Sequence, residues 1–562
     1  MRALSAFPKT ESARFQIMTI FHLTTSHFDS KLFPVISYDL KDENRSLLVC
    51  YDLNNCLANL GPKIDRYVEI LDIYLLETIL YLGKYHQRYF KSGDEIPAYG
   101  LKKYFLEFLA DDLFEVNGES GIPVNFWPRL LAYAKSLKKN VMAAGTWHHY
   151  QEVELPFSIA LHELTSDGVT LDFAALKKIR KKAELAFQKI YYALDVNNVS
   201  GAEIKDLNDW IRGYDFDELI PPGRDDVSMK DLPLLENQHQ VFQIFSRLDK
   251  LKRINNFLNS IGNQSKIRPF YKTMGAVTGR CTSTNPNIMG IPKIFRQIVV
   301  PSKPDFGIVE CDYSQMEVGV AAALSSDQNL IDDFNSTDVY EKTGELLFGH
   351  LGGGSRSKAK IIFLGIQYGL SRKTIARLLE LSEGETSRIL NRLYGRYSSL
   401  SGYLAWLEKS GQANGFAKSI SGLRRYRRFS NTDPNYWEKN WFKNFPIQSS
   451  AASIFKKAII EMCHVLSKEP FNLLVPLYDS VVFECPLKRI EEITGIVVDC
   501  MIRSMKAYFP KLKPRVSVNN SDTSCWNSEG KNNSIDKFLE NPLFDIDIKK
   551  KPSSNVNWAD YL

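Results

Sequence analysis

Two apolar stretches that each deliver one aspartate constrain this chain more than any other feature. The first, Val309-Glu310-Cys311-Asp312-Tyr313-Ser314-Gln315-Met316-Glu317, reads as a buried strand that ends at Asp312, followed at once by a turn and by Glu317. The second, Leu473-Leu474-Val475-Pro476-Leu477-Tyr478-Asp479-Ser480-Val481-Val482-Phe483, reads as an apolar strand with Asp479 in its middle. An aspartate that closes one strand is ordinarily a turn residue or a helix cap. The pair is a different matter, because an ionised carboxylate in apolar surroundings costs several kcal/mol unless a cation or hydrogen bonds compensate it. Carboxylates on adjacent strands suit a pair of Mg²⁺ ions. This is the arrangement used for in-line displacement at phosphorus, where one ion activates the attacking oxygen and the other stabilises the leaving one.

Between the two strands lies Arg356-Ser357-Lys358-Ala359-Lys360-Ile361-Ile362-Phe363-Leu364-Gly365-Ile366-Gln367-Tyr368-Gly369. On a helix, positions 356, 360, 364 and 368 share one face, with an Arg, a Lys, a flat apolar residue and an aromatic in a row. The two cations suit triphosphate oxygens, with Leu364 and Tyr368 against sugar and base.

Taken in order, Asp312-Tyr313-Ser314-Gln315-Met316-Glu317, Arg356-x3-Lys360-x7-Tyr368-Gly369 and Tyr478-Asp479-Ser480 resemble the three signature motifs of the DNA polymerase I family, family A. A fourth stretch, Thr278-Gly279-Arg280-Cys281-Thr282-Ser283-Thr284-Asn285-Pro286-Asn287 followed by Ile291-Pro292, is similar to that family's primer-template segment, and Asn444-Phe445-Pro446-Ile447-Gln448 to its minor-groove segment. The resemblance covers residues 150 to 526. It implies a mixed α+β right-hand polymerase: a palm whose antiparallel sheet bears Asp312 and Asp479, helical fingers, a helical thumb, and a vestigial α/β 3′–5′ exonuclease-like domain ahead of them.

The activity so implied is DNA-templated addition of deoxynucleotides to a primer 3′-hydroxyl. Two Mg²⁺ ions, replaceable by Mn²⁺, would be held by Asp312, Tyr313 and Asp479. Gln315, Glu317, Arg356, Lys360, Leu364 and Tyr368 would bind the nucleotide, with Lys360 also protonating the leaving pyrophosphate. Thr278, Arg280, Ser283, Asn287, Arg424, Asn444, Gln448 and Tyr478 would contact DNA. Arg280 is expected to reach the minor groove, where every Watson–Crick pair presents an acceptor at an equivalent place, so that one cation tests pair geometry without reading sequence. Primer-template DNA and dNTPs are the implied partners of a monomer.

Along the chain, residues 1–30 carry Arg2, Lys9 and Arg14 among Ser and Thr, compatible with an organellar presequence, although Met18 is equally a start and no targeting is expected. Residues 31–150 correspond to the exonuclease-like domain. Its metals need an Asp-x-Glu and a Tyr-x3-Asp; the nearest matches, Asp39-Leu40-Lys41 and Tyr133-Ala134-Lys135-Ser136-Leu137, put a cation and a leucine at ligand positions. Proofreading is therefore expected to be absent. Residues 151–262 are assigned to thumb and palm entry, with Lys-laden helices over 174–193 and 241–261, and 263–319 to the first part of the palm. Fingers follow over 320–445, the second palm part over 446–526, and a polar tail over 527–562, whose Leu543-Phe544 resembles the short peptides that bind sliding clamps.

Composition adds little, and a net charge of +6 is compatible with a polyanion without identifying one. The eight cysteines have no CxxC spacing, which points to reduced thiols and a cytoplasmic location, and no apolar run approaches membrane-spanning length. Within residues 415–443, Arg424, Arg425, Arg427, Arg428, Lys439 and Lys443 interleave with Tyr426, Phe429, Tyr436, Trp437, Trp441 and Phe442, a pattern suited to a template strand. Several positions depart from the family: Leu364 for an aromatic, Gly319 and Asn440 for arginines, Tyr478 for a histidine and Ser480 for a glutamate. The last leaves the site one acid short. Two other readings fit: a single-subunit RNA polymerase, which shares Asp-Ser in the third motif, and a DNA-binding subunit that has lost catalysis.

Overall fold

The computed structural model describes residues 15–22, 31–39, 46–50, Leu53, Leu57, 67–82, and 126–526 apart from 215, 217–218, 221–224, 230, 237, 350–353, 428–432 and 521–522. The first sheet comprises β1 (Phe15–His22), β2 (Lys31–Asp39), β3 (Ser46–Cys50) and β4 (Tyr67–Asp72), in that spatial order. Its first three strands pair antiparallel and β3 pairs parallel with β4. β1 falls inside the stretch taken above as an extension, so the sheet begins ahead of residue 31. Asp72 closes β4 and caps α1 (Ile73–Tyr81) by accepting from the Leu75 N–H. α2 (Phe126–Ala143) packs against α1. Of the degenerate nuclease positions, Asp39 ends β2 and Leu137 is buried on α2, while the Tyr133 hydroxyl donates to Glu77. Lys41, the helical pattern over 99–109 and the tail with Leu543 and Phe544 lie outside the described residues.

α3 (Leu155–Leu164) leads into the larger part of the molecule, and Gly168 takes the left-handed backbone (φ 74°) that its exit turn requires. α4 (Phe173–Val196) and α5 (Gln240–Ile261) then pack together. The buried residues of α4, among them Leu176, Ile179, Ala183, Ala186 and Ile190, recur every three or four positions, whereas Lys177, Lys178 and Lys181 are exposed.

The second sheet is built on β5 (Phe306–Tyr313). With β6 (Asn472–Leu477), β7 (Ser480–Pro486) and β8 (Val516–Asn519) it forms an all-antiparallel sheet of order β6-β7-β5-β8. α6 (Met316–Ser325), α7 (Val339–Phe348) and α8 (Ser355–Tyr368) follow β5 in sequence. Glycines in the left-handed region, Gly354 (φ 79°) and Gly369 (φ 71°), delimit α8. The 31-residue α9 (Tyr436–Leu466) packs against α3, α6, α8 and α10 (Ile490–Tyr508). One fully buried ion pair ties α9 to the start of α3: Lys456 Nζ lies 2.6 Å from Glu154 Oε1, with His149 Nε2 2.9 Å from the same oxygen.

Candidate active site

The burial along β5 alternates at its end, with Val309, Cys311 and Tyr313 buried and Glu310 and Asp312 half-buried, as a strand's two-residue period dictates. The register sets Asp312 directly opposite Ser480 of β7 and Ser517 of β8. Asp479 is not in the middle of a strand, contrary to the sequence expectation. Leu477 pairs with Ser480, so Tyr478 and Asp479 form the two-residue turn at the tip of the β6–β7 hairpin, and Tyr478 takes the left-handed backbone (φ 41°) such turns demand. The Tyr313 N–H donates to the Asp479 carbonyl at 3.0 Å, which fixes the tip against the end of β5.

Electrostatics set these two acids apart. Burial pushes Asp312 up to about 7, and the negative charges of Asp479 and Glu310 add to it against the opposing Lys360 and Arg296. Burial likewise pushes Asp479 up to about 6, opposed by Arg280 and reinforced by Glu317. Among the described residues no cationic side chain forms an ion pair with either carboxylate. Two desolvated, mutually repelling carboxylates of this kind fit a divalent cation. Among the described residues no set of three His, Cys, Asp or Glu side chains adds a further ligand group. Tyr313 can face such an ion only with its backbone, because its side chain is buried and its hydroxyl donates to the Met501 carbonyl.

On α8 the stripe Arg356, Lys360, Leu364 and Tyr368 is the less buried face, with Ser355, Ala359, Ile362 and Phe363 packed behind it. Lys360 is exposed, and its charge acts on both aspartates. Arg356 is held by Asp338, Nη2 to Oδ2 at 2.8 Å, while the other oxygen of Asp338 caps α7 through the Tyr340 and Glu341 N–H groups. Burial would raise Asp338, but the Arg356 hydrogen bond holds it below the usual carboxylate range. Gln315, at φ 58°, precedes α6 and accepts from the Val339 N–H at 3.1 Å, so it also organises the start of α7.

Glu317 sits at a meeting point the sequence did not reveal. Its carboxylate receives Arg280, Gln367 Nε2 at 3.0 Å, the Tyr368 hydroxyl at 3.3 Å and Gln448 Nε2 at 3.4 Å. Gln448 also donates to the Tyr368 hydroxyl, and the Arg280 guanidinium lies over the Tyr478 ring, 5.3 Å from its centroid. Residues from five separate stretches thus converge there; of these, only Gln367 had been passed over. Ser283 and Asn287 mainly shape their own turn: the Ser283 hydroxyl donates to Asn287 Oδ1, which also accepts from the Gly290 N–H. Thr278 lies in the tight turn closed by Gly279 N–H to the Ala276 carbonyl, and Asn444 is half-buried on α9.

The alternation of arginines and aromatics over 415–443 is largely internal, a correction to its reading as a template surface. Arg425 is buried over the Trp441 ring at 4.3 Å, Arg424 lies over Phe416 at 4.7 Å, and buried Arg427 pairs with Glu438 at 3.1 Å. Phe442 is buried as well, and Arg428 and Phe429 lie outside the described residues. What faces outward is Tyr436 and Trp437, the latter 74% exposed.

Position 480 carries a serine that is part of a cross-strand contact. Ser480 is buried, and its hydroxyl donates to Glu310 Oε1 at 3.3 Å; Glu310 lies two residues before Asp312 on β5, and its charge acts on Asp312. The two-residue period of β5 was the signal that would have found it.

A family model described as DNA polymerase family A matches residues 225–528. DNA polymerase I of Bacillus subtilis (strain 168) is 27% identical over 390 residues, 64% of this chain and 44% of the relative. DNA polymerase I of Lactococcus lactis subsp. lactis (strain IL1403) is 25% identical over 513 residues, 85% of this chain and 56% of the relative, so the chain spans about half the length of these curated relatives. Among solved structures, the polymerase domain from M. smegmatis, in complex with DNA primer-template and dNTP, superposes with a TM-score of 0.69 at 21% identity, covering 91% of this chain and 96% of that one. That likeness is one of fold. With the family model spanning more than half of its residues, the chain belongs to DNA polymerase family A.

Proposed function

We propose that this chain is a DNA-directed DNA polymerase that extends a primer 3′-hydroxyl with deoxynucleotides. The observation that carries the proposal is the pair of palm aspartates, both raised by burial, under the cationic face of α8. Asp312 and Asp479 would hold divalent ions, Mg²⁺ or Mn²⁺, whose chemistry there is to make the primer hydroxyl a better nucleophile and to neutralise charge on the phosphates. Arg356, fixed in direction by Asp338, and the exposed Lys360 bind the triphosphate, and Lys360 donates a proton to the departing pyrophosphate oxygen. Glu317, held by Arg280, Gln367, Tyr368 and Gln448, walls off the 2′ position of the incoming sugar. Arg280 and Gln448 then face the minor groove of the newest pair, while α4 and α5 grip the duplex through their lysines.

The remaining assignments belong to the same reading. The stretch 151–262 is thumb and palm entry, 263–319 and 446–526 the palm and 320–445 the fingers. The sheet of β1–β4 with α1 and α2 is an exonuclease-like domain without proofreading activity. The free thiols of Cys281, Cys311, Cys463, Cys485 and Cys500 support a reducing, cytoplasmic setting. Primer extension with dNTPs, and in parallel with rNTPs, tests the function. The expected result is extension with dNTPs alone, lost in Asp312→Asn and Asp479→Asn while primer-template affinity persists. Extension by either variant above about a tenth of the parent rate, less than ~1.4 kcal/mol of barrier, would refute the role given to that carboxylate.

A further inference from the structure

We propose that Glu310 is the third acid of this active site, a positioning residue whose charge on β5 stands in for the one that position 480 lacks; the proposal rests on the polymerase reading above. Glu310 and Asp312 share the half-open face of β5, about 7 Å apart along the strand. Ser480, directly across from Asp312, reaches back to Glu310 rather than to the aspartate, joining the hairpin to the acid by a 3.3 Å hydrogen bond. Glu310 Oε2 accepts from the Trp526 indole N–H at 3.0 Å, and Arg296 Nη1 lies 3.5 Å from Oε1 with its guanidinium 4.4 Å from the Trp526 ring centroid. Donors from three separate segments therefore fix this carboxylate's direction.

Such an arrangement has one consequence for a cation held by Asp312 and Asp479. The half-buried Glu310 carboxylate offsets the charge of Arg296, which would otherwise repel the ion. A carboxylate on β5 or at position 480 satisfies the same need; carboxylates at both would crowd two like charges across one hydrogen-bond distance. The serine and the glutamate thus form one exchangeable cross-strand unit.

The test is Mn²⁺ binding to the full chain, followed by electron paramagnetic resonance without DNA or dNTP, for four proteins: the parent, Asp312→Asn, Glu310→Gln, and the exchange variant Glu310→Ser with Ser480→Glu. Asp312→Asn should lose the site, and if it binds as the parent does, the metal reading fails and this proposal with it. Given that loss, Glu310→Gln should bind about three- to tenfold more weakly, and the exchange variant should return to within about twofold of the parent. Parent-like binding by Glu310→Gln, or an exchange variant as weak as Glu310→Gln, would reduce Glu310 to a structural tie between Arg296 and Trp526. Thermal melts accompany each protein. Should Glu310→Gln fail to fold, Glu310→Asp, which keeps the charge, takes its place and should bind as the parent does; weaker binding than the exchange variant would overturn the proposal.

Discussion

Removing a palm aspartate should make the metal-free protein more stable, not less. Asp312 is raised from 3.8 to about 7 and Asp479 from 3.8 to about 6, so each carboxyl holds its proton more tightly in the folded chain than in the unfolded one. Between those limits the native state binds more protons, and stability falls as pH rises from about 4 to about 7. Above that window both groups ionise inside the fold and the full cost is present. At ~1.4 kcal/mol per unit the two shifts correspond to about 4 and about 3 kcal/mol, and because the groups titrate as a pair the two figures do not add. Asp312→Asn or Asp479→Asn should therefore gain about 2–4 kcal/mol at pH 8 in EDTA and close to nothing at pH 4. Denaturant titrations at both pH values, repeated with excess Mg²⁺, give the measurement. Mg²⁺ should stabilise the parent and narrow the gap, since it binds only the folded protein that keeps both acids. Asparagine variants less stable than the parent at pH 8 without metal would show that these carboxylates are compensated within the protein, and the reasoning would collapse.

Glu317→Ala should admit ribonucleotides and also weaken the hold on Arg280 and Tyr368; an unchanged preference for dNTPs in primer extension would move the sugar gate elsewhere. No dNMP should be released from a 3′-mismatched primer, and release that persists in the Asp312→Asn protein would place a working nuclease in the amino-terminal domain. Glu438→Ala should destabilise the protein by about 3–5 kcal/mol, because it removes the carboxylate ion-paired with the buried Arg427, a loss that calorimetry or denaturant titration would reveal.

How much of this was legible beforehand depends on what kind of signal each residue leaves. Asp312 and the outward stripe of α8 follow from strand and helix periods, and both stand where periodicity put them. Asp479 was misplaced because Tyr478-Asp479 carries none of the Asn-Gly or Asp-Gly chemistry that marks a two-residue turn, so an apolar hairpin read as one strand. Arginines alternating with aromatics look identical in sequence whether the rings stack on bases or on the chain's own guanidinium groups. Arg425 on Trp441 and Arg427 with Glu438 settle that only through contacts between α9 and the 416–426 hairpin. Glu317 meets Gln448 from 131 positions away, a separation no local pattern encodes.

The hairpin tip has a consequence for how such a site can vary over time. Its turn is two residues long, and the neighbouring strand is locked to it from Asp312 through Phe306 without slack. Replacing a side chain at 478 or 480 alters the chemistry in place. Changing the number of residues between Leu477 and Ser480 is another kind of event: one added residue inverts which side of the sheet every later side chain addresses, and Asp479 would part from Asp312. Positions 478 and 480 can thus change their side chains while Asp479 and the length of the tip stay fixed, because a change of length is what would carry Asp479 away from Asp312.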